Sequence, residues 1–529
     1  MRKISCLILL LSIFVYAQDS QKSPNVELPD FVITGNEEVQ LPIVAKPRPE
    51  LISTVSEEYF KPLFSSEELD VKDFSDPLKK NAIFLDSIQY LNFNLDAAVG
   101  MVSMPKVDLK LNLPFTNTLI NAGVNGEYQR AYTDFSDRIF YKGMLNFDHY
   151  FERDGGFLPG VIFALNGNLS QDHYKYYGSS QPDKKNNLML GNFQFGIKNL
   201  GSESFPFSTF IISEYLNLPE NNISENNVKL KGFTALSYSR IDVRTNFTYS
   251  TQYLKNSLLP EINMNYLDFS GALNIKFSQQ FKIHIGMHYS KSDTNSLVSP
   301  YAALAFRIDK GISFFAEYHP ESEFLTNKML LEQNRFFDAS NFRNFFFKKS
   351  GKFILSFKYE YDKYYEIEAG VGHFSSFRYP YFSDAVKNGF FNLSTTEAKN
   401  VNGFVNLFFH PGPFGWFYGE INFQSIRDSL ENQLPYYPIA EGFLSYGHKF
   451  PYNITLETKF KFRSKMYADI GNSFSIAPIF NLGLKLYYPF YEYLNITLEG
   501  DNLFNQSSYR WRNYLEPPMN IMLGINYNW

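Results

Sequence analysis

From residue 91 to Trp529 the chain repeats one pattern, short runs in which apolar and polar residues alternate, separated by clusters of turn-forming residues. Between residues 453 and 465 one side reads Ile454, Leu456, Thr458, Phe460 and Phe462. The other side reads Thr455, Glu457, Lys459, Lys461, Arg463 and Lys465. A period of two with one greasy and one wet side is a strand buried on a single face. The same period returns in Leu267, Phe269, Leu273, Ile275 and Phe277, in Ile241, Val243, Phe247 and Tyr249, and in Phe353, Leu355, Phe357 and Tyr359. One such strand suits a soluble sandwich. Repetition over roughly 440 residues without a helical interruption does not, because soluble all-β domains stop well short of that length.

The connections between these runs alternate in length. Short ones fall at 201–205, 278–280, 309–311 and 451–452; long ones at 175–186, 220–225, 320–350, 374–387 and 428–437. Short turns on one side and long loops on the other belong to an outer-membrane barrel. Kept in phase to the C-terminus, the alternation predicts an all-β transmembrane antiparallel barrel of about 22 strands. An even count puts both chain ends on one side, the periplasm.

Composition then narrows the class. The 529 residues include 55 Phe, 37 Tyr and 3 Trp, yet 19% are charged and the mean hydropathy is −0.26. After the N-terminal segment no run of apolar residues is long enough for a membrane helix. The formal charge of −5 speaks against a nucleic-acid partner. Aromatic richness without long apolar runs suits strands that are apolar on alternate residues and carry aromatic girdles.

The first residues read as a signal peptide, 1–17, with Arg2 and Lys3 before an apolar stretch and Val15-Tyr16-Ala17 before Gln18. Cys6, the only cysteine, lies inside it, so the mature chain is expected to have no disulfide and no thiolate. Residues 18–88 differ in composition from the rest of the chain. Six prolines lie between Pro24 and Pro62, and Glu57, Glu58, Glu67, Glu68, Asp70, Asp73 and Asp76 make the segment acidic. It reads as a largely extended periplasmic arm, followed by the barrel over 89–529.

Near the C-terminus Asn502-Leu503-Phe504-Asn505 with Tyr509 is followed by Gly524-Ile-Asn-Tyr527-Asn-Trp529. This resembles the end of the barrel in TonB-dependent outer-membrane receptors, whose penultimate strand ends in Asn-Leu-Phe-Asp/Asn and whose last strand ends in Gly-x-x-Tyr-x-aromatic. The resemblance covers 91–529 and is specific over the last 35 residues. It implies that Tyr527 and Trp529 form the signal that barrel-assembly machinery reads. It also implies transport of solutes across the outer membrane of a diderm bacterium, or the membrane part of a transport assembly. Phe31-Val32-Ile33-Thr34-Gly35 is similar to the short strand that opens the family's plug or pairs with its energising protein. Only about 55 residues separate Gly35 from the first strand, too few for the usual plug, and none of them reads as a packed α/β domain.

A lumen of 22 strands has to be filled. The arm, the aromatic loop 320–350, or a periplasmic or surface partner protein are the three possibilities. The loop contains Arg335-Phe-Phe-Asp-Ala-Ser-Asn-Phe-Arg-Asn-Phe-Phe-Phe347, too sticky to stay solvated, and is expected to fold partly over the mouth or to dock to a partner or ligand. Two further functions stay open, a non-transporting scaffold that anchors a partner and a loop-constricted porin.

No enzyme, cofactor or metal site is expected. The sequence carries no G-x-S-x-G, phosphate-loop or H-E-x-x-H motif, and His284 and His288, four apart on a strand, stand about 13 Å from each other. Glu457, Lys459, Lys461, Arg463, Lys465 and Glu499 are expected to face the lumen, the cations either drawing anionic solutes or paired with carboxylates such as Glu457 and Glu499. Tyr436-Tyr437 and Tyr487-Tyr488-Pro-Phe490-Tyr491 read as girdle residues at the membrane interface.

Overall fold

A computed structural model describes residues 92–529 apart from 152–159, 200–204, 257–260, 279, 294, 310, 362–363 and 411. The expected signal peptide, the arm and Phe31–Gly35 lie outside the described residues.

Twenty-two antiparallel strands close into one barrel. The first seven are β1 (Phe93–Gly100), β2 (Ser103–Pro114), β3 (Thr118–Gln129), β4 (Arg138–Tyr150), β5 (Ile162–Lys175), β6 (Lys185–Asn199) and β7 (Phe207–Leu218). Next come β8 (Ile223–Tyr238), β9 (Ile241–Asn256), β10 (Ile262–Lys276), β11 (Phe281–Ser292) and β12 (Ser296–Asp309). Strand β13 (Ile312–Tyr318) resumes at Glu321–Leu325, and both pieces pair with β14 (Phe345–Tyr361). His319-Pro320 separates them, as expected of a proline that has no N–H to give the ladder. Then come β15 (Tyr365–Ser383), β16 (Asn392–Phe409), β17 (Trp416–Asp428), β18 (Ala440–Lys449) and β19 (Thr455–Arg463). The wall ends with β20 (Ile479–Tyr491), β21 (Leu494–Asp501) and β22 (Asn520–Asn528). Each strand pairs with its neighbour in sequence, and β22 closes on β1 from Asn94↔Asn528 to Gly100↔Met522.

The alternation read from the sequence becomes two faces of the wall. On β22 Ile521, Leu523 and Ile525 are exposed to the outside while Asn520, Met522 and Asn526 are buried on the inner side. Val124, Phe193, Ile211, Val298 and Val401 repeat the outward position on other strands. An outward apolar band over an inward polar wall is the arrangement of a transmembrane barrel. No helix among the described residues is long and apolar enough to cross a membrane.

The two rims differ. At one rim, the turn end, Phe93 and Trp529 exchange backbone hydrogen bonds of 2.8 and 2.9 Å, and connections such as 239–240 and 492–493 are minimal. The other rim, the loop end, carries connections 326–344, 384–391, 429–439, 464–478 and 502–519. The asymmetry is not strict, since 151–161 is long at the turn end and β1 and β2 are joined by only Met101 and Val102 at the loop end. The stretch 374–387, expected as loop, is strand as far as Ser383. A register shift between Ser376 and Tyr379 breaks the alternation there and hides the strand from a period-of-two reading.

Candidate functional site: an aromatic cap at the loop end

A barrel wall one strand thick has no core of its own between its faces, so buried apolar side chains have to gather at a rim. The largest such cluster sits at the loop end and draws on strands and loops around most of the ring. Tyr176 comes from the β5–β6 loop, Leu218 from β7, Phe336 and Phe337 from the β13–β14 loop, Phe391 from the β15–β16 loop and Tyr514 from the β21–β22 loop. Loops that start on opposite sides of the ring thus share one core, which reaches across the mouth.

The aromatic loop is its centre. It opens with a short helix, α1 (Asn327–Gln333), whose N-cap Thr326 accepts a hydrogen bond from the Met329 N–H. Leu330 and Leu331 of α1 are buried, and the carboxylate of Glu225 on β8 accepts from the backbone N–H of Asn327 (3.0 Å) and Lys328 (3.4 Å). A buried carboxylate at the positive end of a helix is favourably placed. It ties a loop that leaves the wall at β13 to the wall at β8.

Beyond α1 the chain crosses the mouth. The Phe336 ring stacks on Tyr514 with centroids 3.6 Å apart and packs edge-on against Tyr174 and Tyr177. Phe337 meets Phe382, and Phe391 meets Trp511 with centroids 5.2 Å apart. Aromatic pairs at such distances add to the effect of burial. Polar groups are satisfied across loops. The Tyr514 hydroxyl donates to Gly389 O (2.8 Å), Tyr132 and Tyr177 both donate to Leu515 O (2.8 Å each), Asn256 donates to Ser340 O (2.7 Å), and the Tyr174 hydroxyl donates to Arg335 O. Burial pushes the phenols of Tyr176, Tyr177 and Tyr514 up, which keeps them as donors.

Two glycines permit the closest approach. A Cβ on Gly389, where φ is +80°, would stand 2.5 Å from Gly178 O, and a Cβ on Gly178 would stand 2.7 Å from Asn513 O. Three loops therefore meet backbone to backbone, which only glycine allows.

Tyr436 and Tyr437 belong to this rim. Tyr436 packs on Phe391 and Trp511, and the Tyr437 hydroxyl donates to Pro380 O (3.3 Å), so the girdle role expected of this pair is replaced by one in the loop packing. Tyr488, Phe490 and Tyr491 are exposed at the opposite end of β20.

The charged positions singled out in the sequence separate into distinct settings. Glu457, Lys459, Lys461 and Arg463 share the face of β19 opposite Leu456, Phe460 and Phe462. Glu457 and Glu499 flank Lys485 on the two neighbouring strands, and the Glu499 carboxylate also pairs with Lys106 on β2 at 3.1 Å. Glu457 lies opposite Lys485, the Lys459 ammonium stands 4.0 Å over the Phe443 ring, and Arg463 donates to Tyr509 O (3.2 Å). Lys465 lies past the end of β19, with its ammonium 5.0 Å from the Tyr467 ring. Elsewhere on the inner wall Lys358 bridges Glu360 and Glu366 at 3.2 Å each, and Lys229 pairs with Glu214 at 2.7 Å.

The C-terminal motif has a local task. Asn502, with φ of 49°, donates from its side chain to Gln506 O and Pro517 O (3.1 Å each) and accepts from the Gln506 N–H (3.2 Å). It fixes the turn that sends the β21–β22 loop into the cap. Leu503 bonds back to Leu482 O (2.9 Å), and Phe504 meets Phe460 edge-on. Tyr527 packs edge-on against Phe93, with centroids 5.9 Å apart, at the pair of strands that closes the ring.

Glu225, Gly178, Gly389 and Tyr514 were not singled out by sequence reasoning, although the Phe-rich loop they hold was. A glycine before two aromatics, as in Gly389-Phe390-Phe391, is the one local signal that marks the contact.

No protein-family model matches the sequence, and no curated protein matches it. Solved structures do match. An iron transporter, FrpB of Neisseria meningitidis, superposes with a TM-score of 0.63 at 10% identity, over 84% of this chain and 82% of its own. The siderophore receptor PirA of Acinetobacter baumannii gives 0.62 at 10% identity, over 83% and 80%. The ferric-catecholate import receptor Fiu of E. coli K12 gives 0.60 at 10% identity, over 83% and 82%. At such identities the likeness is one of fold: the described chain is a closed 22-stranded barrel with the architecture of TonB-dependent outer-membrane iron and siderophore receptors.

Proposed function

We propose that this protein is an outer-membrane transport barrel of TonB-dependent-receptor type, or the membrane part of a transport assembly, whose mouth is gated by the aromatic cap. The turn end and both chain ends face the periplasm and the cap faces outward. In this reading residues 1–17 are removed as a signal peptide, 18–88 form a periplasmic arm, and Tyr527 and Trp529 carry the assembly signal. The single observation behind it is the joint between loops. A shared core in which Phe336 stacks on Tyr514 closes the mouth without a covalent link and can be opened by a ligand that offers the loops better contacts. The fold shared with an iron transporter and siderophore receptors supports the same class of task.

Planar-bilayer recording of the full chain and of a Phe336→Ser/Tyr514→Ser variant tests it. Rare openings in the native protein and frequent large ones in the variant are expected. Steady large currents in the native protein would indicate a porin. Silence in both would favour a scaffold, in which the cap is a fixed platform for a partner.

A further inference from the structure

Between β12 and β15 the ladder of the wall is complete only in its turn-end half. The last pair of β12 with β13 is Ala302↔Tyr318, and the last pair of β14 with β15 is Ser350↔Ser375. Prolines stop the first of these ladders. The Arg307 N–H donates to Gln280 O on the β11 side and the His319 N–H to Lys352 O on the β14 side, so on the alternate residues the amides of β12 and β13 point at each other. Ala302↔Tyr318 is such a pair, and two residues further the same register would set Pro300 against Pro320. Neither has an N–H, so both hydrogen bonds of that pair are missing.

The chain therefore leaves the wall at this point. Pro320 O turns to the inner face of β11 and β12, where it accepts from Ser299 Oγ (2.9 Å) and lies 3.2 Å from His288 Nδ1, and Phe324 stacks on Tyr266 of β10 with centroids 5.3 Å apart. The returning strand keeps to the inner side of β15, with the Lys349 ammonium 5.3 Å from the ring of the buried Phe374. Glu321–Leu325 and its partner segment 345–349 thus form a ribbon one layer inside the wall. In the wall itself, among the described residues, no strand pairs with β12 from Ser296 to Pro300 on this side, nor with β15 beyond Ser375. The result is a notch about three strand spacings wide, roughly 14 Å, with flanks that rise about 13 Å over the four residues from Ala302 to Val298.

The notch opens on the lipid-facing side. Its floor carries the outward Tyr318 and Phe353 and its flanks the outward Val298 and Phe377, all exposed. Tyr289, opposite Val298, is the kind of residue that marks a membrane interface, which puts the floor of the notch at the height of the apolar band. A bare strand edge is costly there, because its polar groups find no partner in hydrocarbon. The Val298 N–H points into the notch, and Arg378, at the unpaired step in β15, brings a guanidinium that stands 4.7 Å from the Phe345 ring of the ribbon. We propose that the notch binds one phosphate-bearing membrane lipid, with its acyl chains on Tyr318 and Phe353 and its head oxygens on the Val298 N–H and Arg378. The lipid stands where two strands would otherwise complete the wall. The inference rests on the barrel fold and is independent of what, if anything, the barrel transports.

Photolabelling of the full chain in vesicles that contain phosphatidylglycerol with a diazirine on its acyl chain is the test. The inward Tyr301 and His319, whose rings meet beside the notch with centroids 5.0 Å apart, are expected to be labelled, whereas Asn402 and Gln424, an inward pair behind an intact ladder, are not. Arg378→Glu should lower the labelling of His319 several-fold with this lipid and leave that by a diazirine diacylglycerol, which has no phosphate, unchanged. Pro300→Thr with Pro320→Thr restores the two missing donors, lets the ribbon rejoin the wall and should abolish the labelling. Heat-modifiable migration on gels identifies any variant whose barrel has not formed, and Arg378→Glu, at an exposed position, keeps the test decisive if the double variant fails to fold. Label confined to outward residues, equal label on Asn402 and Gln424, or indifference to Arg378→Glu overturns the proposal. So does labelling of Tyr301 and His319 that disappears as the protein is concentrated and dimers form, which would mean that a strand of a second copy fills the notch.

Discussion

At the scale of single residues the cap depends on positions with no room to change. Gly389 combines a positive φ with a backbone contact to Gly178. Gly389→Val strains one loop and pushes it from the next, with an expected cost of about 2–4 kcal/mol to cap closure. Trypsin reports it, because Arg335, held between the Tyr174 and Phe336 rings, becomes cleavable only when the loop leaves its place. An unchanged cleavage rate would disprove the contact. Asn502→Ala removes three side-chain hydrogen bonds and a residue suited to positive φ, at roughly 1–3 kcal/mol. Loosening is expected in the β21–β22 loop while the barrel still migrates as folded. Neither glycine was legible beforehand, because the sequence does not say which loops meet. The Phe-rich run 335–347 was legible, since so many adjacent aromatics cannot stay in water.

Elements were read more securely than contacts. Strand positions follow from a local rule, alternation against lipid and lumen, and the rule worked wherever the ladder was regular. It failed at the register shift in β15, where Phe377 and Arg378 stand next to each other without pairing partners. It also failed for Tyr436-Tyr437, because an aromatic pair at a strand end looks the same whether it meets lipid headgroups or a neighbouring loop. Helix α1 was not foreseen as a helix at all; its seven residues are too few to show a period of 3.6.

The anchor of α1 gives a pH prediction. Glu225 lies above the apolar band, since its outward neighbours Ser224 and Asn226 are polar and the band on β8 begins at Val228. Burial raises its pKa, and the donors on Asn327 and Lys328 only partly offset that. A raised folded-state pKa means a contribution to cap stability that is present below the ordinary glutamate range and is lost as pH rises through the raised value. Cleavage at Arg335 is therefore expected to quicken from pH 5 to pH 8 beyond the protease's own profile, and Glu225→Gln to abolish that excess. Equal pH profiles for the two proteins would rule the anchor out.

Across the whole molecule, the inner wall is held by paired charge where the cap is held by aromatic contact. Lys358→Gln leaves Glu360 and Glu366 facing each other across β14 and β15 without their bridging ammonium. Removing one member of a partly buried charge cluster costs about 3–5 kcal/mol, reduced here by lumen water. The temperature at which the barrel loses its folded gel mobility should drop, and Lys358→Gln with Glu366→Gln should recover part of the loss. The closed ring was predictable from strands that alternate without interruption between short turns and long loops. The convergence of loops over its mouth was not, because that pairing is set by three-dimensional proximity rather than by sequence period.

The joint between β1 and β22 is short, running from Asn94↔Asn528 to Gly100↔Met522, whereas β8 and β9 pair from Ile223↔Asn256 to Tyr238↔Ile241. It is also the only joint in the wall whose two strands are not neighbours in the chain. The barrel therefore has a time order written into it. Every other hairpin can form as soon as its own residues are available, but the circle is completed only after the last strand has arrived, by a pairing that has the largest loop to close. The same joint is the one that can part without opening a hairpin between neighbouring strands, which makes it the natural place for a folding helper to hold the two edges and for a lateral passage between lumen and lipid to open.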